Sequence, residues 1–278
     1  ITADMARLCL EVCAEAKTPI TEIESIGIAT PGIANLDNGC VEYSCNLPFR
    51  KFPICRELSD RLGIANIHVE NDANAAAYGE FLAGAGKGTK NFVAITLGTG
   101  VGSGIIVDGK IWEGFNGFAA ELGHMVIDVG GRRCTCGLRG CLEAYCSATA
   151  LVHETRRMMK LYPDSIMWQI TDGDLDKADG RTAFTANEQG DFAARQIIDD
   201  FVNYLAIGIA NIINIFQPSV VCIGGGVSGQ GEALMRPLRE RLKYTSFGTK
   251  DMRTRVEAAV YKNDAGIIGA GLLGIMED

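Results

Sequence analysis

Apolar residues in the first third of the chain alternate between helical spacing and short continuous runs, and each change predicts a new element. Residues 3–16 place apolar side chains on one helical face, whereas the short apolar runs at 25–30 and 66–70 are typical of buried strands. An Ala-rich segment follows the second run directly and has strong helical propensity. Residues 53–62 are also predicted to form a helix, and the stretch from 35 to 48 a loop.

Two adjacent strands interrupt the alternation in the middle of the chain. The apolar segments 92–98 and 101–109 flank a short turn, which predicts an antiparallel hairpin. Asp108 and Gly109 form a second turn signal, so a further strand is expected from Lys110. Because strands otherwise alternate with helices, the pattern favours a mixed α/β sheet flanked by helices.

The second half of the chain continues with apolar helices and two more strands. A single helix is expected from Leu142 to Lys160, with Leu151, Met158 and Met159 on its buried face. The other predicted elements are helices at 191–216, 232–243 and from 265 onward, and strands at 219–226 and 254–261.

The composition excludes several classes of function. The 278 residues are 47% hydrophobic and 22% charged, as in ordinary globular proteins. The formal net charge of −8 argues against a nucleic-acid binder or an anionic-membrane binder. No signal peptide is present and no apolar run reaches the ~18 residues of a membrane span. Most of the ten cysteines lack framework spacing, which is typical of a reducing cytoplasm.

The spacing H-x9-C-x-C-x4-C predicts a metal site. His124, Cys134, Cys136 and Cys141 supply three thiolates and an imidazole, the closed tetrahedral ligand set of structural zinc. Glycines between these residues allow the chain to bend so that the four donors converge. The alternative is a Gly-rich loop with a disulfide, but two cysteines separated by one residue rarely reach disulfide geometry. A structural zinc ion is therefore expected.

Two glycine-rich segments resemble nucleotide-binding motifs but lack residues that those motifs require. Residues 83–89 resemble a P-loop, but Gly88 follows Lys87 where Ser or Thr is required, and the segment ends a helix. The glycines of 224–229 match G-x-G-x-x-G after a strand, yet a charged helix stands where a dinucleotide site needs an acidic residue. A turn that contacts a single nucleotide remains open here, beside a plain strand-to-helix turn.

Asn71 and Asp72 stand where a predicted strand ends and a helix begins, the position at which open α/β folds bind ligands. Taken alone, Asp72 is also explained as a helix N-cap or a first-turn acid. The rest of the chain favours a chemical role. The hairpin tip 98–102 offers amides and a hydroxyl for phosphates, while Glu121 and Glu143 offer acceptors for a polyol. Together these groups suit transfer of phosphate to a sugar hydroxyl.

Four motifs in this order resemble the ROK family of repressors and sugar kinases: NDANAAA (71–77), LGTGVGSGI (97–105), ELGH (121–124) and CTCGLRGCLE (134–143). The resemblance covers essentially the whole chain, and the H-C-C-C knuckle is highly specific to the family. It implies the actin-like, ribonuclease-H-like ATPase fold, in which two α/β domains enclose a cleft.

The resemblance also implies how the chain divides into domains. The smaller domain would comprise residues 1–70, with the C-terminal helix 264–278 packed back on it. The larger domain would comprise residues 71–263 and carry the zinc knuckle, 124–141.

The same resemblance implies an ATP-dependent hexose kinase, with glucose as the first expectation and with ATP, Mg²⁺ and structural Zn²⁺ as its cofactors. Asp72 would be the catalytic base that takes the proton of the attacking hydroxyl. His124 would bind zinc through one ring nitrogen and face the sugar with the other. The implied sugar contacts are Gly32, Asn46, Asn71, Asp72, Glu121, His124 and Glu143. The implied nucleotide contacts are Gly98, Thr99 and Gly100 at the phosphates, and Gly225 and Gly226 near the adenosine.

One departure from the family pattern bears on ATP binding. ROK kinases begin with a strand-turn-strand that carries D-x-G-G-T, and no such motif precedes the strand at 25–30. Either the sequence lacks an N-terminal segment or the protein holds ATP differently, and Ile1 in place of Met favours the first explanation.

Three alternatives remain beside a glucose kinase. N-acetylglucosamine, N-acetylmannosamine, mannose or allose can be the acceptor. A sugar-sensing ROK repressor would add an N-terminal winged helix-turn-helix, of which this chain shows no trace. A zinc hydrolase fits poorly because three cysteines and a histidine leave no open coordination position. A homo-oligomer, dimer or tetramer, is expected, with the apolar helices of 197–216 contributing to its contacts.

Overall fold

The computed structural model describes residues 1–44, 46–245, 247 and 253–275. Ten strands are seen in these ranges: β1 (Ile26–Thr30), β2 (Ile33–Asn35), β3 (Cys40–Tyr43), β4 (Arg50–Phe52), β5 (Ile67–Asn71), β6 (Phe92–Leu97), β7 (Val101–Val107), β8 (Lys110–Ile111), β9 (Val220–Gly224) and β10 (Arg255–Ala258).

The same ranges contain ten α-helices and several short 3₁₀ turns. The helices are α1 (Thr2–Ala16), α2 (Ile54–Leu62), α3 (Asp72–Leu82), α4 (Glu143–Cys146), α5 (Ala148–Leu161), α6 (Met167–Ile170), α7 (Thr182–Glu188), α8 (Phe192–Phe216), α9 (Glu232–Thr245) and α10 (Ala265–Leu272).

The strands of the described residues form three sheets. The largest has the order β10-β9-β6-β7-β8, with β10, β9 and β6 parallel and the β6-β7-β8 meander antiparallel. A parallel pair, β1 and β5, runs in register from Ile26 opposite Ile67 to Thr30 opposite Asn71. The short strands β2, β3 and β4 form a third, antiparallel sheet. The carboxyl ends of β5, β6 and β9 are therefore available for ligands.

The main hydrophobic core lies between the large sheet and the helices α5, α7, α8 and α9. Helix α8 is long and apolar enough by composition to cross a membrane, but about 61% of its most apolar window is buried inside the protein. Burial on this scale explains its apolar character through core packing.

Helices α3 and α10 cross at backbone contact. A Cβ atom at Gly269 would collide with the carbonyl oxygen of Ala75, and one at Gly79 would collide with that of Ala265. Only glycine permits this approach, because any side chain would separate the two helices. Helix α10 also packs on β1 through Gly27, which lies against Ala270. The domain division at residues 70 and 263 stays a prediction, and residues 276–278 lie outside the described ranges.

Two predictions about secondary structure were wrong. Residues 35–48, expected to form a loop, contain β3 and the end of β2. The single helix expected from Leu142 to Lys160 is broken at Ser147, whose extended backbone (φ −77°, ψ 159°) ends α4. The Ser147 hydroxyl oxygen then accepts the N–H of Ala150 and caps α5, so a serine at this position starts a new helix.

Candidate active site

A cavity of about 740 Å³ lies where the carboxyl end of β5, the β6-β7 turn and the start of α10 meet. Its walls hold residues that the sequence predicts for catalysis, for sugar binding and for nucleotide binding. The predicted residues that line it are Gly32, Asn46, Asn71, Asp72, Gly98, Thr99, Gly100, Glu121, His124, Glu143 and Gly225. Gly226 is not among them and begins the 3₁₀ turn that follows β9.

Asn71 holds the corner between β5 and α3. Its side-chain oxygen accepts the N–H groups of Ala73 at 2.9 Å and Asn74 at 3.2 Å, so Asn71 is the N-cap of α3. Its amide nitrogen donates to the carbonyl oxygen of Gly32 at 2.9 Å, which ties the corner to the turn after β1. Because Asn71 fulfils the capping role, the side chain of Asp72 is not needed for it.

Asp72 is the first residue of α3 and its carboxylate faces the cavity. The side chain is open to solvent within the cavity, yet the surrounding protein partly desolvates the carboxylate and raises its pKa. A hydrogen bond from the Ala73 N–H, 2.9 Å from Oδ1, opposes that rise without cancelling it. A carboxylate with a raised pKa is a stronger proton acceptor.

The tip of the β6-β7 hairpin is anchored by Glu143 and by the start of α5. The N–H of Val101 donates to Glu143 Oε2 at 3.0 Å, and Gly100 lies so close to that oxygen that a Cβ would crowd it. Ala148 N–H donates to the carbonyl oxygen of Gly98 at 2.7 Å. These bonds fix a glycine-rich tip against the cavity, an arrangement that suits phosphate oxygens.

His124 and Glu121 enter the cavity from a 3₁₀ turn (Leu122–His124). The Ser103 hydroxyl of β7 donates to the carbonyl oxygen of Ala120 and accepts the N–H of Leu122 at 3.1 Å, which holds this turn on the sheet. His124 Nε2 lies 4.0 Å from Glu121 Oε2, and both residues line the cavity. Polar groups from the two residues therefore line the same part of the cavity.

The other nitrogen of His124 faces the cysteines. Its Nδ1 lies 3.6 Å from Cys134 Sγ, and Cys136 Sγ lies 3.7 Å from Cys141 Sγ. All four donor atoms lie within 4.8 Å of one another. Neighbouring ligands of a tetrahedral zinc ion are about 3.5–3.8 Å apart, so the two shorter distances match a zinc site, and so does the donor set.

A polar network holds the knuckle against α5. The Tyr145 hydroxyl donates to Asp128 Oδ2 at 2.5 Å and accepts the N–H of Arg132 at 2.8 Å. The Arg132 guanidinium stacks on the Tyr145 ring and binds Glu154 at 3.1 Å. Burial raises the pKa of Glu154, but hydrogen bonds from Arg157 and the charge of Arg132 outweigh it and lower that pKa. The ionised Glu154 thus fixes Arg132, two residues from Cys134 of the His/Cys cluster.

Several cavity residues escaped the sequence analysis. Lys262 and Asn263, just before α10, line the cavity, and Phe118 lines it from the segment before Glu121. Lys262 follows the carboxyl end of β10, and the rule that ligands bind at such ends was a signal that could have found it. Phe118 carried no such signal, because its place in the cavity depends on where its loop meets β2.

Comparison with known proteins assigns a family to this arrangement. Residues 8–276 match the sequence model of the ROK family. A glucokinase of Thermotoga maritima is 42% identical over 250 residues, which is 90% of this chain and 78% of that protein. A putative xylose repressor of Caldicellulosiruptor is 32% identical over 263 residues, covering 94% of this chain and 65% of the repressor.

A solved structure points to the same family. The crystal structure of a ROK family glucokinase from Streptomyces griseus in complex with glucose and AMPPNP is 34% identical. The superposition has a TM-score of 0.79 and covers 95% of this chain and 86% of that one. The chain therefore has the ROK kinase fold, an actin-like ATPase fold, as its sequence motifs predict.

Proposed function

This chain belongs to the ROK family, and we propose that it is an ATP-dependent hexose kinase that converts glucose to glucose 6-phosphate. One observation carries the proposal: the carboxylate of Asp72 shares a cavity with His124, Glu121, Glu143 and the glycine-rich hairpin tip. The names of its relatives support the same activity, since the Thermotoga maritima protein and the Streptomyces griseus structure are both glucokinases.

The sugar is held by the wall that His124 belongs to. A zinc ion held by His124 Nδ1 and the three cysteines would fix the histidine tautomer, because the remaining proton must then be on Nε2. Nε2–H therefore donates to a sugar hydroxyl, while the Glu121 carboxylate accepts from one. Asn71 and Glu143 contact further hydroxyls, with Gly32 and Asn46 on the opposite side of the ring. The zinc ion is structural and takes no part in the reaction.

Phosphoryl transfer takes place between Asp72 and the hairpin tip. Asp72 accepts the proton of the sugar 6-hydroxyl as that oxygen attacks the γ-phosphorus, and the bond to the bridging oxygen of ADP breaks. A base positioned in this way contributes about 10²–10⁴-fold to the rate. The amides of Thr99 and Gly100 meet the phosphate oxygens, and Gly225 packs near the adenosine. Mg²⁺, when bound with ATP, would neutralise charge on the phosphates.

Lys262 also lines this cavity, and we expect it on the side that holds the nucleotide. Its ammonium group supplies a positive charge near the phosphates. ATP and free hexose are both cytoplasmic metabolites, and we place the protein in that compartment. Assembly of copies through the exposed side of α8, where Ile215 is exposed, stays a prediction.

The proposal is tested by an ATP-coupled phosphorylation assay of the full-length protein across a hexose panel. Asp72→Asn should retain glucose binding in calorimetry while its kcat falls by about 10²-fold or more, because the base is lost. The matched control is Asp174→Asn, an exposed cap outside the cavity, which should keep its turnover. In the wild type, kcat should decline on acidification at a pH above the ordinary range of an aspartate.

Two results would contradict this assignment. Appreciable turnover by Asp72→Asn would reject the base. Tight glucose binding by a wild-type protein that phosphorylates no hexose would favour a sugar sensor of the repressor kind.

A further inference from the structure

Glu70, the residue before Asn71, has a buried carboxyl group that the proposed reaction does not use. It lies in β5 opposite Ala29 of β1, and only 1% of the residue is exposed. Burial of an ionised carboxylate without a cationic partner is strongly unfavourable. No cation lies in hydrogen-bond contact with Glu70 among the described residues, so its protonation state needs an explanation.

The hydrogen bonds of Glu70 involve the corner that carries Asn71 and Asp72. Its Oε1 accepts the backbone N–H of Asn71 at 2.7 Å and the side-chain amide of Asn74 at 3.1 Å. Its second oxygen, Oε2, is buried and has no partner in the described part of the chain. The side-chain oxygen of Asn74 is likewise buried and without a partner among the described residues. Two groups joined by one hydrogen bond therefore each keep a buried, unpaired acceptor.

A proton on the Glu70 carboxyl group would give both oxygens a partner. If Oε2 carries it, the carboxylic acid donates to Asn74 Oδ1 while its Oε1 accepts from Asn74 Nδ2, which is the cyclic pairing of an acid with an amide. Burial raises the pKa of Glu70 to about 7, despite the hydrogen bonds from Asn71 and Asn74, and the charge of Glu113 adds to the rise. The chemistry of the site and its hydrogen bonds thus favour the neutral acid.

The neighbours of β5 supply little other charge. Strands β1 and β2 and helix α10 contain no titratable side chain. The charged residues of α2 are solvent-accessible, and Arg61 pairs there with Glu57 at 3.9 Å. On α3 the ionisable carboxyl groups are Asp72, at the cavity, and Glu80, at the other end of the helix.

Glu80 shows what a buried ionised carboxylate requires. It is 2% exposed, and its two oxygens accept three backbone N–H groups, from Ala85 at 3.1 Å, Val260 at 3.1 Å and Tyr261 at 2.6 Å. Three donors and no acceptor suit a carboxylate. Glu70 accepts two donors through one oxygen, while its other oxygen and the Oδ1 of the donating Asn74 amide are both buried without a partner, which suits a carboxylic acid.

We propose that Glu70 is a positioning residue, a neutral acid that donates to Asn74 and thereby holds the Asn71–Asp72 corner in its working geometry. The inference rests on the proposed function for its effect on turnover. The pairing of Glu70 with Asn74 does not rest on that function, because the pair affects stability whether or not the protein is a kinase. Displacement of a catalytic group by about 1 Å can cost up to ~100-fold in rate, so the corner needs such support.

Three variants of the full-length protein test the pair: Glu70→Gln, Glu70→Ala and, as the matched control, Glu80→Gln. The glutamine side chain in Glu70→Gln reproduces the neutral acid, since its amide oxygen accepts the same two N–H groups and its NH₂ donates to Asn74 Oδ1. In Glu80→Gln the new NH₂ would instead point at backbone N–H groups. We therefore expect Glu80→Gln to lower the melting temperature at every pH, and Glu70→Gln not to do so.

The pH dependence sharpens the test. A carboxyl group whose folded pKa is raised loses stability as pH increases from its unfolded value towards the folded one, here from about 4.5 to about 7. The melting temperature of Glu70→Gln, relative to wild type, should therefore rise between pH ~5 and pH ~8.5. In assays, Glu70→Ala should lower kcat by about 10- to 100-fold, and Glu70→Gln should recover most of that loss.

Each outcome supports or rejects either the acid–amide pair or the positioning role of Glu70. If Glu70→Gln is destabilised at all pH values as Glu80→Gln is, Glu70 is ionised and the acid–amide pair is rejected. If the pair is supported but Glu70→Ala turns over like wild type, the positioning role is rejected. If no variant and no wild-type protein phosphorylates a hexose, the melting curves still decide the pair, and the failure belongs to the proposed function.

Discussion

The two walls of the cavity are stabilised by different means. The knuckle wall, residues 121–143, packs on the main core through Leu142 but leaves other apolar side chains in solvent: Val129 is 95% exposed, and Leu138 is also largely exposed. The helix wall, β5 with α3, is built on buried apolar contacts that include Ala75, Ala77 and Phe81. The first wall depends on ligand donors and polar bonds, the second on close packing, so each should fail in its own way.

The largest expected effect is the loss of the metal from the knuckle wall. Cys136→Ser removes one thiolate, and we expect zinc content, melting temperature and glucose binding to fall together. Structural zinc contributes roughly 10–16 kcal/mol in zinc-finger peptides, an upper guide for this wall. Atomic absorption and calorimetry measure the change. Cys13→Ser, on α1, is the control that should keep its metal, and a Cys136→Ser protein with full zinc content would refute the site.

Overpacking of the helix wall should come second. Gly269→Ala forces a methyl group into the backbone of α3, so α3 and α10 must separate, at a cost of about 3 kcal/mol or more in unfolding free energy. Chemical denaturation measures this loss, and zinc content should not change. Gly271→Ala is on the same helix with open space around it and should be neutral. Equal stability of the two variants would show that the crossing is not tight.

The smallest expected effect lies in the support of the knuckle. Tyr145→Phe removes the hydroxyl that joins Asp128 to Arg132, which should cost about 1–2 kcal/mol. Loss of such outer support typically weakens metal affinity by about 10- to 100-fold, so zinc should be released at lower chelator concentration. The control is Tyr162→Phe, because the Tyr162 hydroxyl makes a long hydrogen bond to Gln196 on the surface. If both variants release zinc alike, the network does not act on the metal.

The difference between the walls also explains what the sequence could reveal. A metal-binding cluster needs particular residue types, so the convergence of His124 and the three cysteines was recognisable from the chain alone. The strand-to-helix corner was recognisable because Asn71 and Asp72 are contiguous. Both features are formed by residues close together in the sequence, so the sequence pattern alone reveals them.

Features built from distant residues were not predictable. Lys262 and Phe118 reach the cavity only because separate elements meet there. Strands of three or four residues, such as β2 and β4, are too short to show alternation, so the pattern did not predict the third sheet. Ser147 ends a helix through its own backbone angles, and the apolar periodicity on either side of it hid the break.

The bonds from Val260 and Tyr261 to Glu80 join residues 180 and 181 positions apart. Helix α10, which follows them, supplies the floor on which α3 rests. During synthesis the helix bearing Asp72 must therefore wait for nearly two hundred later residues before it gains its neighbour. Until then the sides of α3 and β1 that α10 covers stay exposed on the nascent chain.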